Sequence, residues 1–280
     1  MPALPRYSWP VKPFDRMHPV RAYFDDPRIS GGTRAFHFGI DVCARDGTAV
    51  YAIESGTVHI EGGRSLSVVG DVVPRTFGYW HVVPAVADRQ YVRRHQLLGR
   101  IDAGWGHVHL AESANRVYLN PLRPGALSPW VDSSSPRIVG VELRRGGKLL
   151  PVAEISGAVD VIVEAWDRPP LQPPAPWEGA IVTPALLRWR VLDGAKVARP
   201  WHTPIDFRRG LQPASRFASV FAPGTRQNHP GKPGRYRFFL AKTWSTRTLP
   251  NGVYRLEVSA ADVSGNRAHA LLQFELGNTR

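Results

Sequence analysis

The sequence has a single cysteine, Cys43. No disulfide can form within the chain, so cysteine usage says nothing about redox compartment. No apolar run approaches the roughly 20 residues of a membrane-spanning helix. The first residues, MPALPRYSWPVKPFDRMHPV, contain no apolar stretch of the kind a secretory leader needs. Lys and Arg outnumber Asp and Glu 36 to 23, yet they never run longer than pairs such as Arg93-Arg94, Arg144-Arg145 and Arg208-Arg209. Nothing matches a recognition helix, an RNP strand or a zinc-finger spacing, so a nucleic-acid partner is not expected. Long helical periodicities are also scarce.

What is present is a basic chain, with net charge +13, that is rich in turn formers: 26 glycines and 26 prolines in 280 residues. A positive field of this size suits polyanionic surroundings, among them an acidic cell-wall polymer. Short β-branched runs bounded by Gly, Pro, Asn and Asp predict an all-β protein. In the first half the pattern predicts strands near 36–42, 48–53, 56–61, 65–69, 71–74, 78–83 and 106–111, and a short helix or turn over Asp88–Leu97. A Ser-rich break ending in Pro, residues 133–136, reads as a linker between two domains, 1–132 and 137–280.

Beyond the break, alternation is cleaner. Tyr254, Leu256, Val258 and Ala260 share one face of a half-buried strand, and Val159, Val161, Val163 and Ala165 repeat the pattern, though Ile162 blurs the outer face. Further strands are expected near 138–144, 148–153, 180–192, 216–221, 235–241 and 267–276, which together predict a β-sandwich. Two long insertions interrupt it, the Pro-rich Arg168–Gly179 and a stretch from about Pro200 to Gly234. Loops of this length are functional or mobile.

Three segments concentrate metal-ligating residue types: His37 to Asp41, Tyr79-Trp80-His81, and His107-Val108-His109. His107 and His109 share a face if the segment is a strand. His37 and Asp41 would lie roughly 13 Å apart on a flat strand, whereas two ligands of one zinc are only about 3–4 Å apart. The chain must therefore bend between them, and Gly39 is the residue that permits it. One carboxylate and two imidazoles, His37, Asp41 and either His107 or His109, would leave the fourth zinc position for water, as hydrolytic sites require. Cys43 reads as a small buried residue rather than a ligand.

The run HFGIDVCARDGTAVYAIESGTV resembles the opening signature of the lysostaphin/LytM-type zinc metallopeptidases (the M23 family), matching at His37, Gly39, Asp41, Gly47, Thr48, Val50, Ala52, Gly56 and Val58. Tyr79-Trp80-His81 resembles the family's Y-x-H element. His107-Val108-His109, with Leu110 and Glu112, resembles its closing strand. The resemblance covers roughly residues 18–115. It implies a LytM-like antiparallel β-sheet peptidase domain, Zn2+ held by His37, Asp41 and His109, and catalytic roles for His81 and His107. The implied substrate is a peptidoglycan peptide and the implied location extracytoplasmic (periplasmic or secreted), with the leader absent from this sequence. The chain departs from the family at the loop before the closing strand, shortened to Ala103-Gly104-Trp105-Gly106, and over Glu61–Phe77, segments that help to wall the groove.

The ending LPNGVYRLEVSAADVSGNRAHALLQFEL is similar to the last strands of bacterial immunoglobulin or fibronectin-III modules. Such a C-terminal module could contact cell wall or a protein partner. The reading is therefore a zinc endopeptidase acting on cell-wall peptidoglycan; the alternative is a non-catalytic LytM-like scaffold that binds cell wall or a partner protein.

Overall fold

The computed structural model describes residues 7–71 and 74–278. Strands dominate, and every strand-to-strand ladder is antiparallel. The strand expected at 71–74 falls partly on 72 and 73, outside the described residues. Asp88–Leu97 contains turns around a two-residue strand, Tyr91–Val92, and no helix.

In the first half an eight-stranded sheet has the strand His107–Ala114 near its middle, between Ile40–Cys43 and Arg75–Trp80. Alternation divides that strand in two. Val108 and Leu110 face a core they share with Ile40, Val42, Leu66, Val68, Phe77 and Tyr79. His107 and His109 face the opposite side. A three-stranded sheet of Ala49–Tyr51, Leu97–Ile101 and Val82–Pro84 supplies Val50, Leu98, Ile101 and Val82 to the same core.

Glu112 lies on the core side of the His107–Ala114 strand and is fully buried. It is satisfied by Arg75 at 2.8 Å, by both terminal nitrogens of Arg123 at 2.6 Å, and by the Tyr7 hydroxyl. A carboxylate held this way is stable in the interior because each oxygen is paired with a cation or a donor.

The second half contains two four-stranded sheets. One is ordered Lys148–Leu149, Arg137–Arg145, Ala158–Trp166, Arg237–Ser245; the other is Lys196–Asp206, Leu186–Asp193, Gly252–Ala261, Arg267–Leu276. Their inward faces share one apolar core that includes Val161, Val163, Leu187, Trp189, Leu256, Val258 and Phe238. Ile162 is buried on the outer face because Ala222 and Phe239 cover it there.

One expected strand, 216–221, is instead a 3-10 turn followed by the single helical turn Phe217–Val220. Phe217 and Val220 are three apart and both buried, which is a helical and not a strand period. The second insertion also starts later than expected, since Lys196–Asp206 is strand.

The two halves are stitched together. The hairpin Pro27–Ser30 and Thr33–Phe36 leaves the first half and delivers Phe36 into the core of the second, against Phe217, Phe221 and Phe207 at ring-centroid distances of 5.3, 5.6 and 6.2 Å. The buried Asp26 accepts hydrogen bonds from the Thr183 amide at 2.9 Å and hydroxyl at 2.8 Å. Val182, Ala185 and Val263 in turn pack into the first core.

Candidate metal centre

The chain bends between His37 and Asp41, as their spacing demands. The Thr33–Phe36 strand ends, residues 37–39 are irregular, and a new strand begins at Ile40. Gly39 is needed less for its backbone freedom than for close approach. A Cβ there would lie 2.4 Å from the Leu110 carbonyl oxygen and 2.7 Å from His109 Nε2. Strand register then does the rest: His109 sits opposite Asp41 on one side and opposite Trp80 on the other.

Three donor atoms converge. His37 Nε2 is 2.8 Å from His109 Nδ1, and Asp41 Oδ1 is 3.1 Å from each. Ligands at tetrahedral zinc distances are separated by about 3.3–3.5 Å, so the three fit one ion with only a slight expansion. The tautomer of His37 also suits a ligand. Its Nδ1 donates to the Tyr23 carbonyl at 2.8 Å, leaving the Nε2 lone pair for the centre. All three side chains are buried, and His109 Nε2 has no hydrogen-bond partner among the described residues.

The electrostatics keep His37 and Asp41 deprotonated. Burial, then the nearby Arg28 guanidinium, pulls His37 down to about 3 in spite of Asp41. Burial alone would raise Asp41, but His37, His107 and Arg28, with the hydrogen bond from His109, outweigh it and hold the carboxyl well below its usual range. Arg28 Nη2 donates to Asp41 Oδ2 at 3.0 Å, which leaves Oδ1 facing the imidazoles. Cys43 stays apart as a buried thiol pushed up to about 12, chiefly by burial.

His81 and His107 flank the triad, their rings 4.6 Å apart. The short loop before the closing strand positions both. Gly104 and Gly106 adopt φ of +86° and +62°, and their amides donate to Asp46 at 2.7 and 2.8 Å. That turn stacks Trp105 on His81 at 3.6 Å and aims the Trp105 carbonyl at His107 Nδ1, 2.7 Å away. His107 Nε2 accepts from Arg21 at 3.2 Å. His81 has a φ of +65°, an uncommon conformation for a side chain of this size. No hydrogen bond engages its ring nitrogens among the described residues. Burial, and then His107, lowers it to about 3.

Beside these groups lies a cleft of about 410 Å³ whose walls include Phe38, Trp80, Trp105, Arg21 and Arg28. Both insertions of the second half reach its flank. Trp177 of the Pro-rich loop stacks on Arg21 at 4.1 Å, and Gln227 and Asn228 line a smaller cavity with Arg21, Arg28 and Asp41. Sequence patterns contained no signal for Arg21, Arg28 or Trp177 at this site, because each arrives through tertiary packing. Trp189 and Trp244 are core residues, while Trp201 lies against Arg188 and Arg190 at 4.6 and 4.7 Å.

No family model matches the chain, and no curated protein matches it. Its structural neighbours are M23 peptidases. The catalytic domain of the antimicrobial peptidase lysostaphin from Staphylococcus simulans aligns at 20% identity and a TM-score of 0.32, over 35% of this chain and 81% of that one. A zinc-containing peptidase from Vibrio cholerae aligns at 21% identity and 0.33, over 39% and 37%. The deep-sea M23 metalloprotease pseudoalterin aligns at 15% identity and 0.32, over 52% and 94%. The aligned part thus spans little more than a third of the Vibrio protein.

Proposed function

We propose that this chain is a zinc-dependent endopeptidase hydrolysing peptide bonds in bacterial cell-wall peptidoglycan, working outside the cytoplasm. The observation that carries the reading is the convergence of His37 Nε2, Asp41 Oδ1 and His109 Nδ1 within 2.8–3.1 Å of one another on the floor of a cleft. Two nitrogens and one carboxylate oxygen are the donor set of hydrolytic zinc sites. The motif resemblance supports the substrate class, and the net positive charge suits an acidic wall polymer. In this reading residues 1–132 form the peptidase domain, 133–136 the linker, and 137–280 an immunoglobulin-like module that contacts wall or a protein partner.

Bound zinc would supply Lewis acidity toward the scissile carbonyl and toward water. The chain's own residues divide the remaining work. His37, Asp41 and His109 hold the ion, and Tyr23 fixes the orientation of His37. His81, whose nitrogens are unengaged, is the proton acceptor and donor. His107, with both nitrogens engaged, stays in a fixed orientation and holds Arg21, whose guanidinium is the hydrogen-bond donor beside the developing oxyanion. Phe38, Trp80 and Trp105 exclude water from the cleft.

The test is zinc content of the purified chain together with release of stem-peptide or cross-bridge fragments from cell walls. We expect about one zinc per chain and hydrolysis that His109→Ala and chelation both abolish. Hydrolysis surviving either treatment would refute the metal mechanism. Zinc-loaded protein that cleaves nothing would identify the non-catalytic scaffold instead.

A further inference from the structure

A second group of potential ligands lies away from the histidines. Asp132 precedes the linker, Asp167 follows the strand Ala158–Trp166, and Asp262 follows the strand Gly252–Ala261. One carboxylate oxygen from each lies within 4.8 Å of the others. Asp167 and Asp262 are buried, at 1% and 3% exposure.

None of the three forms an ion pair with Lys, Arg or His among the described residues. Asp262 is held by the amides of Gly265 and Asn266 and by the Asn266 side chain. Asp167 accepts from the Arg168 amide through Oδ1 alone. Its Oδ2, and Oδ2 of Asp132, are buried with no partner among the described residues. Three carboxylates this close and this dry repel one another, and an unpaired buried charge is costly. Burial raises Asp167 to about 8 and raises Asp262 as well, so a proton can relieve part of this cost, and a cation would relieve it with all three carboxylates charged.

We propose that Asp132, Asp167 and Asp262 form a second, oxygen-only site that takes a calcium ion and ties the start of the linker to the second half of the chain. The donors are all hard oxygens, which disfavours zinc and favours calcium or magnesium. Calcium accepts the irregular arrangement of six to eight oxygens that carboxylates, backbone carbonyls and waters can supply here, whereas magnesium demands a near-ideal octahedron.

Two neighbours give the site reach. The Asn266 side chain spans from Asp262 to the Asp132 carbonyl at 2.9 Å, so the start of the linker is already docked beside Asp262. Tyr23, whose carbonyl orients His37, has its hydroxyl buried and unpartnered. Burial and then the charges of Asp167, Asp132, Asp26 and Asp262 raise that hydroxyl far above its usual pKa, so it lies in the field of the cluster. A bound cation would therefore steady the same segment that holds a ligand of the first centre.

The test uses the full chain stripped of metal and resupplied with zinc. Thermal unfolding is followed against calcium, and terbium emission sensitised by Tyr23 and by Trp130, whose ring lies 5.9 Å from that of Tyr23, reports a calcium-like ion directly. We expect saturable stabilisation of roughly 5 °C at about 1 mM calcium, a weaker response to magnesium, and terbium emission that calcium displaces. Asp167→Asn should lose both signals, and Asp132→Asn, on the less buried segment, serves if the first variant does not fold. His109→Ala should keep both, separating this site from the zinc centre. The proposal is overturned by the absence of any calcium response in the parent chain at about 5 mM, by a stronger response to magnesium, or by an unchanged response in the Asp variants.

Discussion

Phe36→Ala tests whether the second half of the chain holds the metal centre of the first. The Phe36 ring is 5% exposed and lies among three other aromatic rings of the second core. Removing a buried Phe costs about 3–5 kcal/mol in lost transfer energy and residual cavity, and the edge contacts between rings place the value near the middle of that range. For a cooperative unit of this length, about 4 kcal/mol lowers Tm by about 7 °C. The next residue is His37. Its amide and carbonyl stay pinned to Asp26 and Asp25 at 2.9 and 2.8 Å, so the ring should loosen rather than leave. A loss of about 10-fold in zinc affinity is expected, in line with other supports of a metal ligand. Thermal melts of zinc-free protein give the first quantity, and competition with a chromophoric chelator gives the second. Phe36→Leu, which keeps most of the volume, should cost less than about 1.5 kcal/mol and leave zinc affinity near the parent value. If Phe36→Ala changed stability by under about 1 kcal/mol and left zinc affinity intact, the idea that the second core fixes His37 would be wrong.

Two further substitutions separate structure from chemistry on the central strand. Glu112→Gln should destabilise by about 3–5 kcal/mol, seen in urea unfolding, because it strands the buried Arg75 and Arg123, while zinc stoichiometry is unchanged; an equally stable variant would contradict this. Gly39→Ala should cost about 1–3 kcal/mol and weaken zinc binding, because the new methyl group meets the Leu110 carbonyl and the His109 ring, and a variant with parental zinc affinity would show that His109 has room to move.

Local pattern determined much of this protein. Alternation in Val159–Ala165 and Tyr254–Ala260 gave the buried faces of two core strands correctly, since a period of two needs no knowledge of the partner. The i, i+2 spacing of His107 and His109 put both on one face for the same reason. The distance argument at His37 and Asp41 required a bend, and a bend is there. The resemblance named the residues that converge, including His81, whose distance in sequence carries no geometric information. Pattern failed at 216–221, where five apolar or small residues in six read as a strand but bury at a helical period.

Tertiary structure alone decided what surrounds the centre. Glu112 looks like part of the closing motif, yet the pleat turns it away from the histidines into a network with Tyr7, Arg75 and Arg123. Arg21 reaches the cleft from the strand Val20–Ala22, Arg28 from the hairpin that crosses between the two halves, and Trp177 reaches its flank on the Pro-rich loop. The three aspartates of the second cluster are 35 and 95 residues apart along the chain, a separation at which sequence has no periodicity to report. Periodicity records which side of its own strand a residue faces; which strands and loops then meet is settled by burial of the two shared cores, and that is where the neighbours of each functional side chain come from.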